Sequence, residues 1–158
     1  MSCTSAASRT CRARTRSFEH KGVEMVTRQQ VVDEARRWIG TRWQHQGRLK
    51  GVGVDCAGLV VCVLRNVGIE VADVAGYPRR PDGSLLDVVR DQTEPTADWM
   101  AGDVVLFHWD NDPCHLAILT SPNSIIHAHA MARAVVEHDL DDRIRASVTC
   151  VRRVPGVE

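Results

Sequence analysis

The stretch DCAGLVVCVLRNVG, residues 55–68, decides how the rest of the chain is interpreted. Asp55 is a good helix cap, the apolar residues after it recur at helical spacing, and Gly68 stands where a helix ends. Cys56 therefore lies in the first turn of a buried helix. The unpaired N–H groups and the dipole at a helix start favour an anion and lower the pKa of a thiol. Because the thiolate is the form that attacks, Cys56 is a candidate nucleophile. The competing interpretation is that Cys56 is only a small buried residue of the core.

A cysteine nucleophile needs a nearby base and a third polar group that orients this base. His115 begins a predicted strand over 115–120, and His127 lies on the next predicted strand, over 124–129. Paired side chains on neighbouring antiparallel strands lie about 5 Å apart, so the two imidazoles can touch. The pattern favours Cys56 as nucleophile, His115 as general base and His127 as the orienting group. Taken singly, each histidine would more simply be structural.

Two other histidines compete for the third role, and a metal site is a further alternative. His129 shares a strand face with His127 but lies about 6–7 Å further along it, too far to bond the same nitrogen. His108, on the strand before His115, remains a candidate because strand register decides its position. The His-x-His pair with His115 or Cys114 could bind zinc, but no clear fourth ligand or spacing signature supports such a site. We therefore expect neither a metal nor a cofactor.

The pattern changes from helices to strands along the chain. Thr27 and Gln30 have the spacing of a capping box before a helix over 28–39, and a short helix is predicted over 84–91. Residues 40–54 hold four glycines and are predicted to form a loop. Strands are predicted over 104–109, 115–120, 124–129, 134–138 and 148–154, joined by turns at Gly102-Asp103, Asn111-Asp112-Pro113 and Pro122-Asn123. This order indicates an α+β fold, with N-terminal helices packed on a mostly antiparallel sheet of about five strands.

Composition limits the class of protein. The 158 residues suffice for one domain with a core, and a formal net charge of zero argues against nucleic-acid binding. No apolar run is long enough to cross a membrane, so no membrane insertion is expected. None of the six cysteines forms a Cys-x-x-Cys pair, which indicates free thiols in a reducing compartment. We expect Cys62 in the core and Cys114 on the face opposite to His115.

Residues 1–24 differ from the rest of the chain, because they are rich in Ser, Thr, Ala and Arg and poor in large apolar side chains. Such a segment cannot bury enough surface to fold alone, and it lacks the apolar region of a secretory signal. We expect a disordered extension, or a translation start at Met25, in preference to an Arg-rich transit peptide. A single domain then covers 25–158, and the protein is made in the cytoplasm without a signal peptide.

Several short motifs resemble those of one enzyme family. The segment VDCAGLV, residues 54–60, resembles the Asp-Cys-Ser-Gly-Leu-Val nucleophile motif of the NlpC-type cell-wall peptidases, which are papain-like cysteine enzymes. Further segments resemble the family's Gly-Thr-Pro-Tyr, Pro-Gly-Asp, base-strand and third-residue motifs: GTRW at 40–43, MAGDVVLF at 100–107, HLAI at 115–118 and SIIHA at 124–128. The resemblance spans about residues 27–154, with all three catalytic motifs in the family's order.

The resemblance implies a papain-like fold, a Cys56-His115-His127 triad and a peptidoglycan stem peptide as substrate. The implied scissile bond joins γ-D-glutamate to the diamino acid. Trp43, Asp55 and Ala57 match substrate-binding positions, but Trp43 stands where the family has Tyr, and Ala57 stands where it has Ser. That Ser, together with the Asp, helps many members bind a free N-terminal amine. Restriction to substrates with a free L-Ala amine is therefore not implied here.

One branch of the family matches further. The segments WQHQG at 43–47, HLAIL at 115–119, IHA at 126–128 and RAVVE at 133–137 resemble peptidases of phage tails and gene-transfer particles. This likeness implies tail proteins as partners and a place in the virion or particle. Two alternatives stay open: a Cys-His amidase or acyltransferase on another substrate, and a non-catalytic tail component on the same fold.

Overall fold

Two helices begin directly after their predicted capping residues, Thr27 and Asp55. The computed structural model describes residues 25–109 and 112–158. Its helices are α1 (Arg28–Arg36), α2 (Cys56–Asn66), α3 (Ser84–Gln92) and α4 (Asp142–Ala146). The capping box of α1 is present, since the Thr27 side chain accepts from the Gln30 N–H and the Gln30 side chain accepts from the Thr27 N–H. The expectations for residues 1–24 and for Asn111 lie outside the described residues.

The strands are β1 (Arg48–Leu49), β2 (Gly53–Val54), β3 (Glu94–Pro95), β4 (Val104–Trp109), β5 (Asp112–Ser121), β6 (Ser124–His129), β7 (Ala134–Asp139) and β8 (Val148–Arg153). The last six form one sheet in the order β3-β8-β4-β5-β6-β7, and all its pairs are antiparallel. The predicted α+β class is confirmed, but this sheet has one strand more than expected. The additional strand, β3, has two residues, too few for an alternating pattern. For the same reason the β1–β2 pair was not predicted within 40–54.

Alternation along the central strands separates two apolar clusters. On one face of the sheet, Leu106, Ile118 and Ile126 belong to a core that includes Leu59 and Val63 of α2. On the other face, a second cluster is formed by Val105, Phe107, Ala117, Leu119, Ile125, Leu140 and Val151. Helix α2 therefore packs against one side of the sheet, and its first residue, Cys56, shares a cleft with Cys114, His115 and Leu116 of β5.

A bulge interrupts the β4–β5 ladder at the site predicted to carry the base. Phe107 pairs with His115, but the next residue, His108, pairs with Pro113. Cys114 is thus the additional residue on β5, and strict alternation fails around it. Cys114 was expected to face away from His115, yet both residues line one cleft.

The two ends of the domain are joined by backbone hydrogen bonds. Val26 forms a parallel bridge with Val157, and both side chains are buried. The N–H of Glu158 donates to the carbonyl of Val26 at 2.9 Å, and the N–H of Arg28 donates to the carbonyl of Glu158 at 2.9 Å. The start of α1 is therefore held by the end of the chain. Within residues 25–109 and 112–158, no helix has the length and apolarity needed to span a bilayer.

Candidate active site

Asp55 holds the start of α2 in a network of donors. Its Oδ1 accepts from the N–H of Gly58 at 2.8 Å and from Nη1 of Arg48 at 3.1 Å. Its Oδ2 accepts from the hydroxyl of Tyr77 at 2.6 Å and from the N–H of Gln46 at 2.6 Å. The residue is only 3% exposed. The predicted cap is confirmed, and the carboxylate also fixes two loops beside Cys56.

The thiol of Cys56 has a different electrostatic environment from the one expected. Burial raises its pKa to about 11, although backbone hydrogen bonds from Leu116 and Ala57 lower it in part. The carboxylate of Asp55 raises the pKa further. The expected lowering by the helix start is thus present but is outweighed by desolvation, which disfavours the thiolate. The resting thiol is therefore protonated at neutral pH.

His115 and His127 lie on neighbouring strands with their rings in contact. Nε2 of His115 lies 2.7 Å from Nδ1 of His127, and the rings meet edge to face with centroids 4.9 Å apart. Burial lowers the pKa of His115 to about 4, while nearby Asp55 raises it in part. Burial and repulsion from His115 lower the pKa of His127 to about 2. Both imidazoles are therefore neutral near pH 7.

The other histidines differ in what they contact. The ring of His129 stacks on His127 at a centroid distance of 4.8 Å. His108 is directed to β8, where its Nδ1 lies 3.2 Å from Oγ1 of Thr149. His127 has a second hydrogen-bonding partner, His138 of β7, at 2.8 Å between the two Nε2 atoms.

Sequence reasoning missed three residues of the site: Arg48 and Tyr77, which bind Asp55, and His138. Tyr77 lies in an irregular segment and Arg48 in the two-residue strand β1, and neither segment carries a periodic signal. His138 could have been found, because the predicted strand 134–138 follows the one that bears His127, but its contact depends on register.

A cleft of about 430 Å³ opens over these groups. Cys56 and His115 line it, as do the three residues predicted to bind substrate, Trp43, Asp55 and Ala57. One wall is apolar and includes Val60, Leu64, Val88 and Val89. At another part of the lining, the guanidinium of Arg79 lies 5.9 Å from the ring centroid of Trp43. The part of the chain that the structure describes contains no group of three or more His, Cys, Asp or Glu side chains that could hold a metal ion.

A cysteine at the start of a helix that shares a cleft with a histidine on an antiparallel sheet is the arrangement of papain-like α+β domains. The sequence model of the NlpC/P60 family matches residues 40–153, so the chain belongs to this family. A comparison with curated protein sequences gave no match.

Solved structures share the fold. A Staphylococcus aureus protein described as similar to lipoprotein of the NLP/P60 family is 25% identical, with 80% of this chain and 41% of that one covered and a TM-score of 0.62. The NlpC/p60 domain of the peptidoglycan hydrolase SagA is 20% identical, with 82% and 100% covered and a TM-score of 0.60. The peptidoglycan hydrolase RipB of Mycobacterium tuberculosis is 21% identical, with 80% and 63% covered and a TM-score of 0.55. The chain spans about two fifths of the length of the first of these proteins.

Proposed function

We propose that this chain is a cysteine endopeptidase that hydrolyses amide bonds in peptidoglycan stem peptides. Cys56 is the nucleophile, His115 the general base and His127 the group that orients the base. The observation that carries the proposal is the 2.7 Å contact between Nε2 of His115 and Nδ1 of His127, beside a cleft that Cys56 also lines. With Nε2 engaged, Nδ1 of His115 is the nitrogen left to accept a proton.

The first half of the reaction forms a thioester. Sγ of Cys56 attacks the scissile carbonyl carbon while its proton moves to Nδ1 of His115. The oxyanion of the tetrahedral intermediate is received by backbone N–H groups at the start of α2. The N–H of Gly58 already donates to Asp55, and that of Ala57 is engaged with the Cys56 thiol, which leaves that of Cys56 as the best placed. The C–N bond then breaks, and the leaving amine takes the proton from His115.

The second half releases the acyl group. Water attacks the thioester carbonyl and gives a proton to Nδ1 of His115. The second tetrahedral intermediate collapses, the C–S bond breaks, and the sulfur takes this proton back. The products are a carboxylic acid and an amine, and the enzyme returns to its neutral thiol and imidazole.

The charge of the cleft suits the γ-D-glutamyl bond. A γ-linked glutamate keeps its α-carboxylate free, close to the scissile amide. Arg79 and Arg80 both line the cleft and offer cations for such a group. Of the three acidic residues that line the cleft in the described part of the chain, Asp55 and Asp73 pair with Arg48, while Asp82 accepts from Ser84 and keeps its charge. The names of SagA and RipB as peptidoglycan hydrolases point to the same class of substrate.

We also infer that cleavage does not require a free amine on the substrate. Both carboxylate oxygens of Asp55 already accept two hydrogen bonds each, and one donor is the guanidinium of Arg48. Binding a substrate ammonium at Asp55 would mean breaking part of this buried network. Ala57 supplies no hydroxyl in place of the family's Ser. Stem peptides still attached to the glycan should therefore be substrates.

Digestion of purified peptidoglycan with mass analysis of the products tests the function. Wild type and Cys62→Ala should release fragments cut between γ-D-glutamate and the diamino acid, whereas folded Cys56→Ala should release none. Cys62 is the matched control, since it lies on the same helix with its Sγ on the carbonyl of Arg48. EDTA should have no effect. Wild-type rates in Cys56→Ala, or loss on EDTA with recovery on zinc, would refute the assignment.

A pair of synthetic peptides tests the amine inference. We expect L-Ala-γ-D-Glu-diamino-acid peptides with a free or an acetylated amine to have kcat/KM values within about fivefold of each other, which is about 1 kcal/mol. A loss of more than about 100-fold on acetylation would mean that the amine is bound and that the Asp55 network opens for it.

The apolar wall of the cleft favours one other function, acyl transfer on a lipid by the same Cys56 and His115. Intact peptidoglycan after prolonged digestion, with consumption of a fatty acyl thioester, would select that function.

We further propose that the protein resides in a phage tail or gene-transfer particle. This proposal rests on the sequence resemblance, and detection of the chain in purified particles by mass spectrometry tests it.

A further inference from the structure

We infer that His138 is a positioning residue that fixes the tautomer of His115 by way of His127. The inference rests on the proposed function, because it concerns the same base. It extends the site from three side chains to four and assigns a role to a residue on a strand that does not bear the nucleophile or the base. The residues that carry it are His115, His127, His138 and the backbone of Asp139.

These groups form one unbroken chain of hydrogen bonds. Nε2 of His115 lies 2.7 Å from Nδ1 of His127, and Nε2 of His127 lies 2.8 Å from Nε2 of His138. Nδ1 of His138 lies 2.8 Å from the backbone carbonyl oxygen of Asp139. Strand register builds the chain, since His127 pairs with Val136 and His138 is two residues further along β7, on the same face.

The carbonyl at the far end sets the direction of every bond in the chain. A carbonyl oxygen only accepts, so Nδ1 of His138 must donate to it. In neutral His138 the proton is then absent from Nε2, which accepts from Nε2 of His127. Nδ1 of His127 is consequently unprotonated and accepts from Nε2 of His115. The lone pair of His115 is thereby left on Nδ1, the nitrogen that the reaction needs.

The surroundings favour this neutral, fully bonded state. His127 is 6% exposed, and its low pKa, about 2, keeps it uncharged. An interior imidazole must have both nitrogens satisfied, and His115 and His138 supply the two partners. A main-chain carbonyl also orients the chain without adding a charge, unlike a carboxylate.

Loss of His138 would free the tautomer of His127. If its proton moved to Nδ1, His127 would donate to Nε2 of His115, and the His115 proton would sit on Nδ1. That tautomer cannot accept the proton of Cys56. The defect would lie in kcat, because the walls of the cleft that hold the substrate would be unchanged.

Two substitutions of His138 separate the effect of losing its hydrogen bond from the effect of losing its ring. His138→Phe keeps a ring but removes the acceptor, whereas His138→Gln retains an acceptor oxygen that can reach Nε2 of His127. The control is His108→Phe, at a histidine whose Nδ1 contacts Thr149 outside the chain. We expect kcat on a stem peptide to fall about 10- to 100-fold in His138→Phe and to stay within about fivefold of wild type in His138→Gln and His108→Phe, with KM within about twofold in all three.

Nitrogen-15 NMR of the histidine side chains gives the second readout, independent of substrate. In wild type and His138→Gln, His115 should show a proton on Nε2 and none on Nδ1, and in His138→Phe this pattern should be mixed or reversed. An unchanged tautomer and kcat in His138→Phe would overturn the inference. Equal losses in both variants together with a lower melting temperature would also overturn it, in favour of a structural role. If the wild type cleaves no peptide but the tautomer shifts as expected, the proposed function fails and the inference about His138 stands.

Discussion

The imidazole of His115 is uncharged at neutral pH, because burial lowers its pKa to about 4. The thiol of Cys56 is also uncharged, because burial raises its pKa to about 11. In the proposed reaction, the two groups would thus meet the substrate as a neutral pair, and the proton would move during the attack. A preformed thiolate–imidazolium pair would require the opposite order of the two pKa values.

Alkylation of Cys56 by iodoacetamide should therefore be slow at pH 7 and accelerate with pH up to about 10, as the fraction of thiolate grows. Peptide mapping after timed labelling gives the rate for this residue separately from Cys62, the internal comparison. A rate that is already maximal and flat between about pH 5 and pH 8 would show a preformed ion pair, and would mean that substrate-free Cys56 is less desolvated than its surroundings indicate.

The effect of substituting His127, the proposed orienting residue, should depend on whether a hydrogen-bond acceptor remains. We expect His127→Ala to lower kcat on the order of 10- to 1000-fold, because His115 loses its partner at 2.7 Å. His127→Asn and His127→Gln should retain partial activity. His129→Ala should be mild, since His129 contacts His127 through ring stacking. If His129→Ala were as damaging as His115→Ala while His127→Ala was nearly silent, the third role would belong to His129.

The starts of α2 and α4 show how the stability contributed by an aspartate cap depends on its surroundings. Asp55 caps α2 within a buried network, while Asp141 caps α4 at the surface by accepting from the N–H of Ile144 at 2.7 Å. An exposed cap contributes about 1 kcal/mol. The buried carboxylate of Asp55 contributes more to stability than its cap alone. Its removal leaves the donors of Gln46, Gly58 and Tyr77 without their acceptor, whereas Arg48 keeps Asp73 as a partner.

Asp55→Ala should consequently lower the free energy of unfolding by about 3–5 kcal/mol, and Asp141→Ala by about 1 kcal/mol. Urea unfolding followed by circular dichroism measures both, and the two variants serve as controls for each other. Similar losses in the two variants would mean that the loops around Asp55 rearrange and satisfy its other hydrogen-bond donors without the carboxylate.

Elements with a strong local signal were predictable from the sequence, and those set by tertiary pairing were not. Thr27 and Asp55 mark the starts of α1 and α2 because a cap acts within one turn. The predicted strands 104–109 and 124–129 match β4 and β6 in both bounds. Helix α4 has five residues, too few for a periodic pattern, and was missed.

The same distinction between local signals and tertiary pairing holds for the residues of the candidate site. The position of Cys56 follows from a helix start that is written locally. The strand that carries His115 was predicted, but β5 begins at Asp112, within the predicted turn, and not at His115. The contact of His127 with His138 depends on the β6–β7 register, which no single strand encodes. The raised pKa of Cys56 depends on burial by distant segments, so a prediction from the helix start alone gave the wrong sign.

At the scale of the whole molecule, the first contacts of the described domain begin at Val26. Deletion of residues 1–24 should leave the melting temperature and the activity unchanged, because that composition offers little to pack. Deletion of residues 1–27 is the matched comparison, and it should lower the melting temperature by several degrees, since it removes the buried Val26 and the Thr27 cap. Thermal unfolding measures both. A comparable drop for the shorter deletion would show that the segment docks on the domain.

The pairing of Val26 with Val157 also determines how the domain responds to mechanical force. The two segments run parallel, and the load would enter at the N-terminal end of one and the C-terminal end of the other. Pulling in this geometry slides the segments past each other instead of unzipping them. The hydrogen bonds that join Val26, Arg28, Gly156 and Glu158 are then stretched together. A domain tethered at both ends would thus resist tension by shear between these two paired segments, before the sheet that carries His115 is disturbed.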